Sequence, residues 1–519
     1  MQDFPATTTI RGTAHASEGL ARVEVGGSVV QTDNQGVFQA EVPVAPGLQL
    51  VPIQAFDQAG HVRNGHRAIL SARYLPEGEI NPGAAAITVT NAVLAALAGD
   101  QLGDVANLDL SDEIMAQGSV SQQGCDIQIQ SAHHDPPSLA LTVEAGQLQV
   151  NFTIPNLHVT FAGTCSMIIS STSFTGTLDT DVVVKTSLSA PPSDHCLETF
   201  DHTFPTVDLP NFDLNLQSND GGLIGMLMPL VGDIMQGSFQ DRMSQQIAQQ
   251  ADGLIADQVA QFGQMGLGEG TTMTFNGVAM DVGFCLTGLE SVDGALRARI
   301  GLSVTGPGGA DAPGAPMVDG DIGAIAPSTL WLDADLVSQM MFSLWRAGGL
   351  SGESTGDVTV GLIGLLVPEI SQMYPDANPP LTISIDGMLP PVVTAAAPDS
   401  GGDLQVDIGD LVIELSVEGT LLFRMSAMVH VTIDLQNQDG AIMPAIIASS
   451  AEVTVLDEPI ADVDDALLQG AVEMQIGSQA QSLLGDSGLG LPAFGGLSLN
   501  LQDAVPEPGG RYVRVTLAP

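Results

Sequence analysis

"GQLQVNFTIPNLHVTFAGT", Gly146–Thr164, lies over "GDLQVDIGDLVIELSVEGT", Gly402–Thr420, without a gap. Leu148, Val150, Phe152 and Ile154 alternate in the first stretch, Leu404, Val406 and Ile408 in the second. A period of two over this length predicts long antiparallel strands with one apolar face, and such a face must be covered. Upstream, "ITVTNAVLAAL" (Ile87–Leu97) lies over "LWLDADLVSQM" (Leu330–Met340), placing Ile87 on Leu330, Val89 on Leu332, Val93 on Leu336 and Leu97 on Met340. Pro136-Pro137 and Pro390-Pro391 stand in similar places before the long strands. Several matches in one order make duplication a better account than chance.

The covers read as helices. In "LWLDADLVSQMMFSLWRAGGL" (residues 330–350), Leu336, Val337, Met340, Met341, Leu344 and Trp345 fall on one helix face. Asp333 and Asp335 suit an N-cap and first turn, and Gly348-Gly349 suits a stop. A longer pattern from Leu223 to Phe262 repeats every four residues at Leu227, Val231, Met235, Phe239, Met243 and Ile247. Unbroken it would be about 60 Å long, and Gly232, Gly237 and Gly253 favour bends in it. Its shorter counterpart carries Val463, Leu467, Ala471 and Val472.

A curved sheet wrapped on a long helix leaves a tube, and methionine-rich, aromatic-poor walls suit a flexible aliphatic guest. The expected lining is Val93, Leu97, Leu148, Val150, Phe152, Leu227, Val231, Met235 and Phe239 in the first repeat. In the second it is Leu336, Met340, Leu344, Leu404, Val406, Leu467 and Ala471. Any one of these side chains also reads as ordinary core.

Composition fits a strand-rich protein of several domains. The 519 residues are 44% hydrophobic but only 4% aromatic, with 59 glycines. The formal net charge is −47, with Lys185 the single lysine beside twelve arginines. That surface repels phosphate polymers and anionic membranes alike, so nucleic acid is excluded as a partner. The carboxylates are dispersed, which reads as a solvated exterior. No apolar run reaches transmembrane length; "GLIGMLMPLV" is the nearest. No basic, apolar leader opens the chain, so an extracytoplasmic location requires one already removed. Cys125, Cys165, Cys196 and Cys285 allow three pairings, and a bridge between Cys125 and Cys165 is favoured because both lie in strand-like sequence.

Residues 5–75 alternate in short segments broken by turn clusters at Gly26-Gly27, Asp33–Gly36, Pro46-Gly47 and Asp57–Gly60. The pattern D-x-x-G-x-F at Asp33–Phe38, then Pro46-Gly47, then A-x-D-x-A-G at Ala55–Gly60, resembles bacterial immunoglobulin-like modules. Calcium at Asp33 and Asn34 is the alternative to a plain hairpin turn there.

The tandem repeat resembles the family of bactericidal/permeability-increasing protein, lipopolysaccharide-binding protein and plasma lipid-transfer proteins. The likeness rests on "LVSQMMFSLWRAGGL" and on "YPDANPPLTISIDGMLPPVV", and covers residues 84–519. It implies two barrels meeting end to end in a boomerang, each holding an acyl-chain lipid between sheet and helix. The expected fold is α+β and mostly β. The expected domains are an immunoglobulin-like sandwich (1–76), a linker (77–83) and two tubular barrels (84–310 and 311–519). Two departures stand out. Residues 223–262 contain no cysteine for the family's sheet-to-helix bridge, and no lysine- or arginine-rich tip supports an endotoxin-binding mode.

The chain shows no P-loop and no H-E-x-x-H motif, and no nucleophile elbow is read, so no enzyme is expected. His195, Cys196 and His202, with His133 and His134, form the best constellation for zinc, but a surface loop holding a half-cystine explains them and no metal or cofactor is expected. Asn151-Phe-Thr matches a glycosylation acceptor inside an expected strand. The expectation is therefore a monomeric, extracytoplasmic binder or carrier of phospholipid-like molecules without covalent chemistry. The alternative is a surface recognition module with the barrels as architecture.

Overall fold

Alternating valines and turn glycines build the N-terminal part as short strands. The computed structural model describes residues 6–92, 94–95, 111, most of 119–218, much of 240–253, and most of 271–457 and 500–518. Strands β1 (Thr7–Thr13), β2 (Leu20–Val25), β3 (Ser28–Val30), β4 (Val37–Pro43), β5 (Gly47–Asp57) and β6 (Val62–Ser71) form two sheets, β1-β4 and β3-β2-β5-β6. Ile10, Phe38 and Val42 from one sheet and Val23, Val25 and Val51 from the other make a single core. Asp33 Oδ1 accepts from the N–H of Gln35 (2.8 Å) and Val37 (2.9 Å). That is a turn held by its own side chain, as the plain hairpin reading requires.

The chain continues through β7 (Arg73–Leu75), β8 (Asn81–Thr90), β9 (Ser119–Gln122), β10 (Cys125–His133), β11 (Ser138–Glu144), β12 (Gln147–Ser166) and β13 (Ser171–Ser189). Short strands β14 (Asp201–His202), β15 (Thr206–Asp208) and β16 (Asp213–Ser218) all pair with β13. Next come β17 (Thr271–Phe275), β18 (Val278–Val292), β19 (Ala295–Thr305), β20 (Ala315–Met317) and β21 (Thr329–Asp333). Helix α1 (Ala334–Arg346), β22 (Gly352–Thr359) and helix α2 (Pro368–Met373) follow. The last strands are β23 (Pro380–Gly387), β24 (Val392–Ala395), β25 (Leu404–Val417), β26 (Thr420–Gln438), β27 (Ala441–Asp457), β28 (Asn500–Pro506) and β29 (Tyr512–Ala518). The fold is mostly β, as expected.

Two large sheets carry the overlaid long strands: one built on β10, β12 and β13, the other running β22-β23-β25-β26-β27. Between them a central sheet runs β17-β18-β19-β8-β21-β29-β28 and so takes strands from both sides of residue 310. The stretch read as a linker, 77–83, already holds the first residues of β8. The overlaid strands β8 and β21 are antiparallel neighbours with Ile87 opposite Leu330. Thr88 faces Thr329 and Ala86 faces Trp331, so matched residues exchange places about a local two-fold.

α1 lies against this central sheet. Asp333 caps it, its carboxylate accepting from the Asp335 N–H (3.0 Å). Leu336, Met340, Met341, Phe342, Leu344 and Trp345 are all buried, and so are Ser338, Gln339 and Ser343 on the other faces. The broad apolar side therefore touches the main core, and the polar side is enclosed as well. Trp345 Nε1 donates to Gly387 O (2.6 Å), and Ser338 Oγ accepts from Val393 N–H (3.1 Å).

Candidate functional site

On β13 every even-numbered residue from Thr172 to Thr186 is buried, a strict period of two over fifteen positions. β12 supplies the matching face, but in two phases. Leu148, Val150, Phe152 and Ile154 use even positions; after a bulge at Pro155-Asn156 the buried residues are Leu157, Val159 and Phe161. Asn156 takes a left-handed φ of 51°, its N–H donating to Asp181 Oδ1 (2.8 Å) and its Nδ2 to Asp135 Oδ2 (2.6 Å). The bulge keeps one apolar face through a change of phase. β25 does the same, passing from Leu404, Val406 and Ile408 to Leu411, Ile413, Leu415 and Val417, with Asp410 at φ 54°.

The first sheet's face has a closed end and a less covered end. At the closed end, Phe161 and Phe174 meet edge to face, ring centres 6.4 Å apart. Gly163 and Gly176 leave room for those rings, since a Cβ on either would lie 2.5 Å from the neighbouring phenyl. Helical residues within 240–253 pack on this buried face through Met243, Ile247 and Ala251. Gln240 Nε2 donates to Leu209 O (3.4 Å), and His202 Nε2 meets Asp252 Oδ1 (2.9 Å). At the other end Leu148, Val150 and Phe152 are only half-buried. Their β11 partners Leu141 and Leu139, opposite Val150 and Phe152, are half-buried too. Leu141 and Leu148 pack against the large central core, while Phe152 packs against the buried face and Val150 and Leu139 lie half-buried beside it.

The remaining expected lining residues divide between core and undescribed chain. Leu336, Met340, Leu344, Leu404 and Val406 belong to the large central core, each less than a tenth exposed. Val93, Leu97, Leu227, Val231, Met235, Phe239, Leu467 and Ala471 lie outside the described residues.

A polar cluster sits beneath α1 where strands of the two halves meet. Arg511, just before β29, donates to Asp333 Oδ2 through Nε (3.0 Å) and Nη2 (2.8 Å), and Asn81 Nδ2 donates to the same oxygen (3.1 Å). Asp335 Oδ1 accepts from Val318 N–H (2.7 Å), while its Oδ2, 3.4 Å from Arg511 Nε, accepts no hydrogen bond. Burial pushes the Asp335 carboxyl up to about 8, with the neighbouring Asp333 adding to the effect and Arg511 opposing it. Burial raises Asp333 as well, against Arg511.

Cys196 and Cys285 are bonded, with Cα atoms 5.5 Å apart, tying the loop after β13 to the central strand β18. Cys196 is thus unavailable as a zinc ligand, and His202 is engaged by Asp252. The backbone register places Cys125 opposite Cys165. Sequence reading passed over one pattern: Gly352-Glu353-Ser354-Thr355-Gly356 matches G-x-S-x-G. It lies inside β22, with Ser354 opposite Ile383, whereas a nucleophile elbow needs a sharp strand-to-helix turn at the serine. Among the described residues no helix is long and apolar enough to cross a membrane.

No family model matches the chain, nor does any curated protein sequence. Among solved structures it is similar to lipopolysaccharide binding protein, with a TM-score of 0.40 and 12% identity over 84% of this chain and 99% of that one. It is also similar to P47 from Clostridium botulinum A2, with a TM-score of 0.29 and 10% identity over 84% of this chain and 97% of that one.

Proposed function

We propose that this protein binds acyl-chain lipids on the apolar face of its first long sheet, without covalent chemistry, and passes them between membranes. The carrying observation is the half-buried group of Leu139, Val150 and Phe152, with Phe152 packed against the buried face of the first long sheet that helical residues also cover. An acyl chain laid along it gains about 0.8 kcal/mol for each methylene removed from water. No charged contact is needed for that gain, which suits an acidic chain. The Cys196–Cys285 bond supports an oxidising, extracytoplasmic setting.

Native mass spectrometry of protein purified without detergent tests the reading. Lipid-sized masses are expected on the wild type, and Phe152→Asp should lose them while keeping its melting temperature within a few degrees, because the position is only half-buried. A wild-type protein that carries no lipid, and takes none from vesicles, sinks the proposal.

A further inference from the structure

The N-terminal sandwich is open along one side. β1 pairs only with β4 and β6 only with β5 among the described strands, so both face the same gap with unpaired edges. Between them runs a cleft of about 1060 Å³, walled by Thr8–Ala16 and by Val62–Ile69 and closed at one end by Val455 and Leu456 of β27. Register fixes what β6 turns inward. Val51 is opposite Arg67, Ile53 opposite Gly65 and Ala55 opposite Arg63, and Val51 belongs to the sandwich core. Cross-strand partners share a face, so Arg63, Gly65 and Arg67 occupy inward positions where apolar residues would be expected. Gly65 is uncovered there: an added Cβ would meet only Ile53 O, at 3.9 Å. Arg67 is exposed and has no ion-pair partner among the described residues, while Arg63 donates to Leu456 O.

The charge is locally unusual. Residues 1–75 hold six carboxylates against five arginines, a net of −1, whereas the rest of the chain carries the other −46. The opposite face of β6 is fixed to the second sheet by His66, whose Nδ1 meets Thr454 Oγ1 (2.9 Å) and whose Nε2 meets Ser426 Oγ (2.7 Å). The slot is therefore held in place by the rest of the molecule.

We infer that this cleft receives an extended, acidic segment of a partner polypeptide, which adds as a strand to the edge of β1 and pairs a carboxylate with Arg67. Two unpaired edges supply backbone donors and acceptors, which favour an extended peptide over a compact anion. Inward arginines could alternatively serve only to keep the open edges from pairing with other copies.

The probe is a fluorescent decapeptide of alternating glutamate and threonine, titrated into the full chain. Binding is expected, weakened by about tenfold in Arg67→Glu and again on raising salt from about 0.05 to about 0.5 M. A glutamate–proline decapeptide, which cannot complete a ladder, and a lysine–threonine one should not bind. Equal binding of the proline peptide would leave an anion site without strand addition and overturn the proposal. So would binding that Arg67→Glu leaves unchanged, or capture of heparin but not peptide. If the acidic peptide fails to bind while Arg67→Val makes the protein self-associate, the arginine only guards the edge. Lipid content should be the same in wild type and Arg67→Glu, so this outcome is separate from that of the lipid reading.

Discussion

Asp335 carries a fully buried carboxyl with an incomplete set of partners. Its Oδ2 accepts no hydrogen bond, and Asp333 and Asp335 share a single guanidinium. The folded protein therefore holds the Asp335 proton up to about pH 8, against an ordinary value of 3.8. With the folded state binding the extra proton, this group's contribution is full below about pH 4 and is lost as pH rises toward 8. Asp335→Asn mimics the protonated form, so its melting temperature should fall less between pH 5 and pH 8 than that of the wild type, in calorimetry across roughly that range. An identical slope in both proteins would mean that Asp335 stays ionised. Arg511→Met removes the counter-charge from both carboxylates and should destabilise by about 3–5 kcal/mol, and chemical denaturation measures that. Acidic N-cap chemistry was legible at Asp333 from sequence. The arginine was not, because 178 residues separate it from its partner.

Helix α1 and strand β12 show how far local pattern reaches. The apolar stripe, the cap and the stop of α1 are all readable from residues 330–350, since each depends on neighbours within one or two turns. What the stripe faces was not readable. A broad stripe suits a lipid tube or a core equally, and the burial of Ser338, Gln339 and Ser343 together with Leu336, Met340 and Leu344 places the helix inside the core. Met340→Trp should then overpack it, at a cost of about 1–3 kcal/mol, seen as a lower melting temperature with lipid content unaltered. Lipid loss at an unchanged melting temperature would instead put Met340 beside the guest. In β12 the alternation of Leu148, Val150 and Phe152 was clear, but the Asn156 bulge that flips the phase depends on Asp135 and Asp181 from other segments. Gly176 is similar: it looks like a weak point in a strand, yet it admits the Phe161 ring. Gly176→Ala should cost about 1–3 kcal/mol, far more than the same change on an open strand.

Strands distant in sequence meet in one sheet, and on the proposed lipid-binding reading the net charge would govern any approach to a membrane. β29 pairs with β21, and β21 with β8, so the central sheet brings Asn81–Thr90, Thr329–Asp333 and Tyr512–Ala518 together. The repeat told which strands correspond, but not that they would pair with each other, because register between remote segments leaves no local trace. Around this frame the chain carries −47, of which residues 1–75 contribute only −1. If the protein carries acyl chains as proposed, it would reach a donor bilayer by apolar contact, since anionic headgroups repel such a charge within a Debye length of about 10 Å at 0.1 M salt. Transfer of a fluorescent phospholipid from neutral vesicles should accordingly be faster than from vesicles rich in acidic lipid at low salt. Adding salt should speed the acidic case and leave the neutral one nearly unchanged, because screening removes a repulsion present only there. Faster transfer from acidic vesicles, lost as salt is added, would show attraction in place of repulsion. The contact would then run through the arginines of the N-terminal cleft, and Arg67→Glu would abolish the preference.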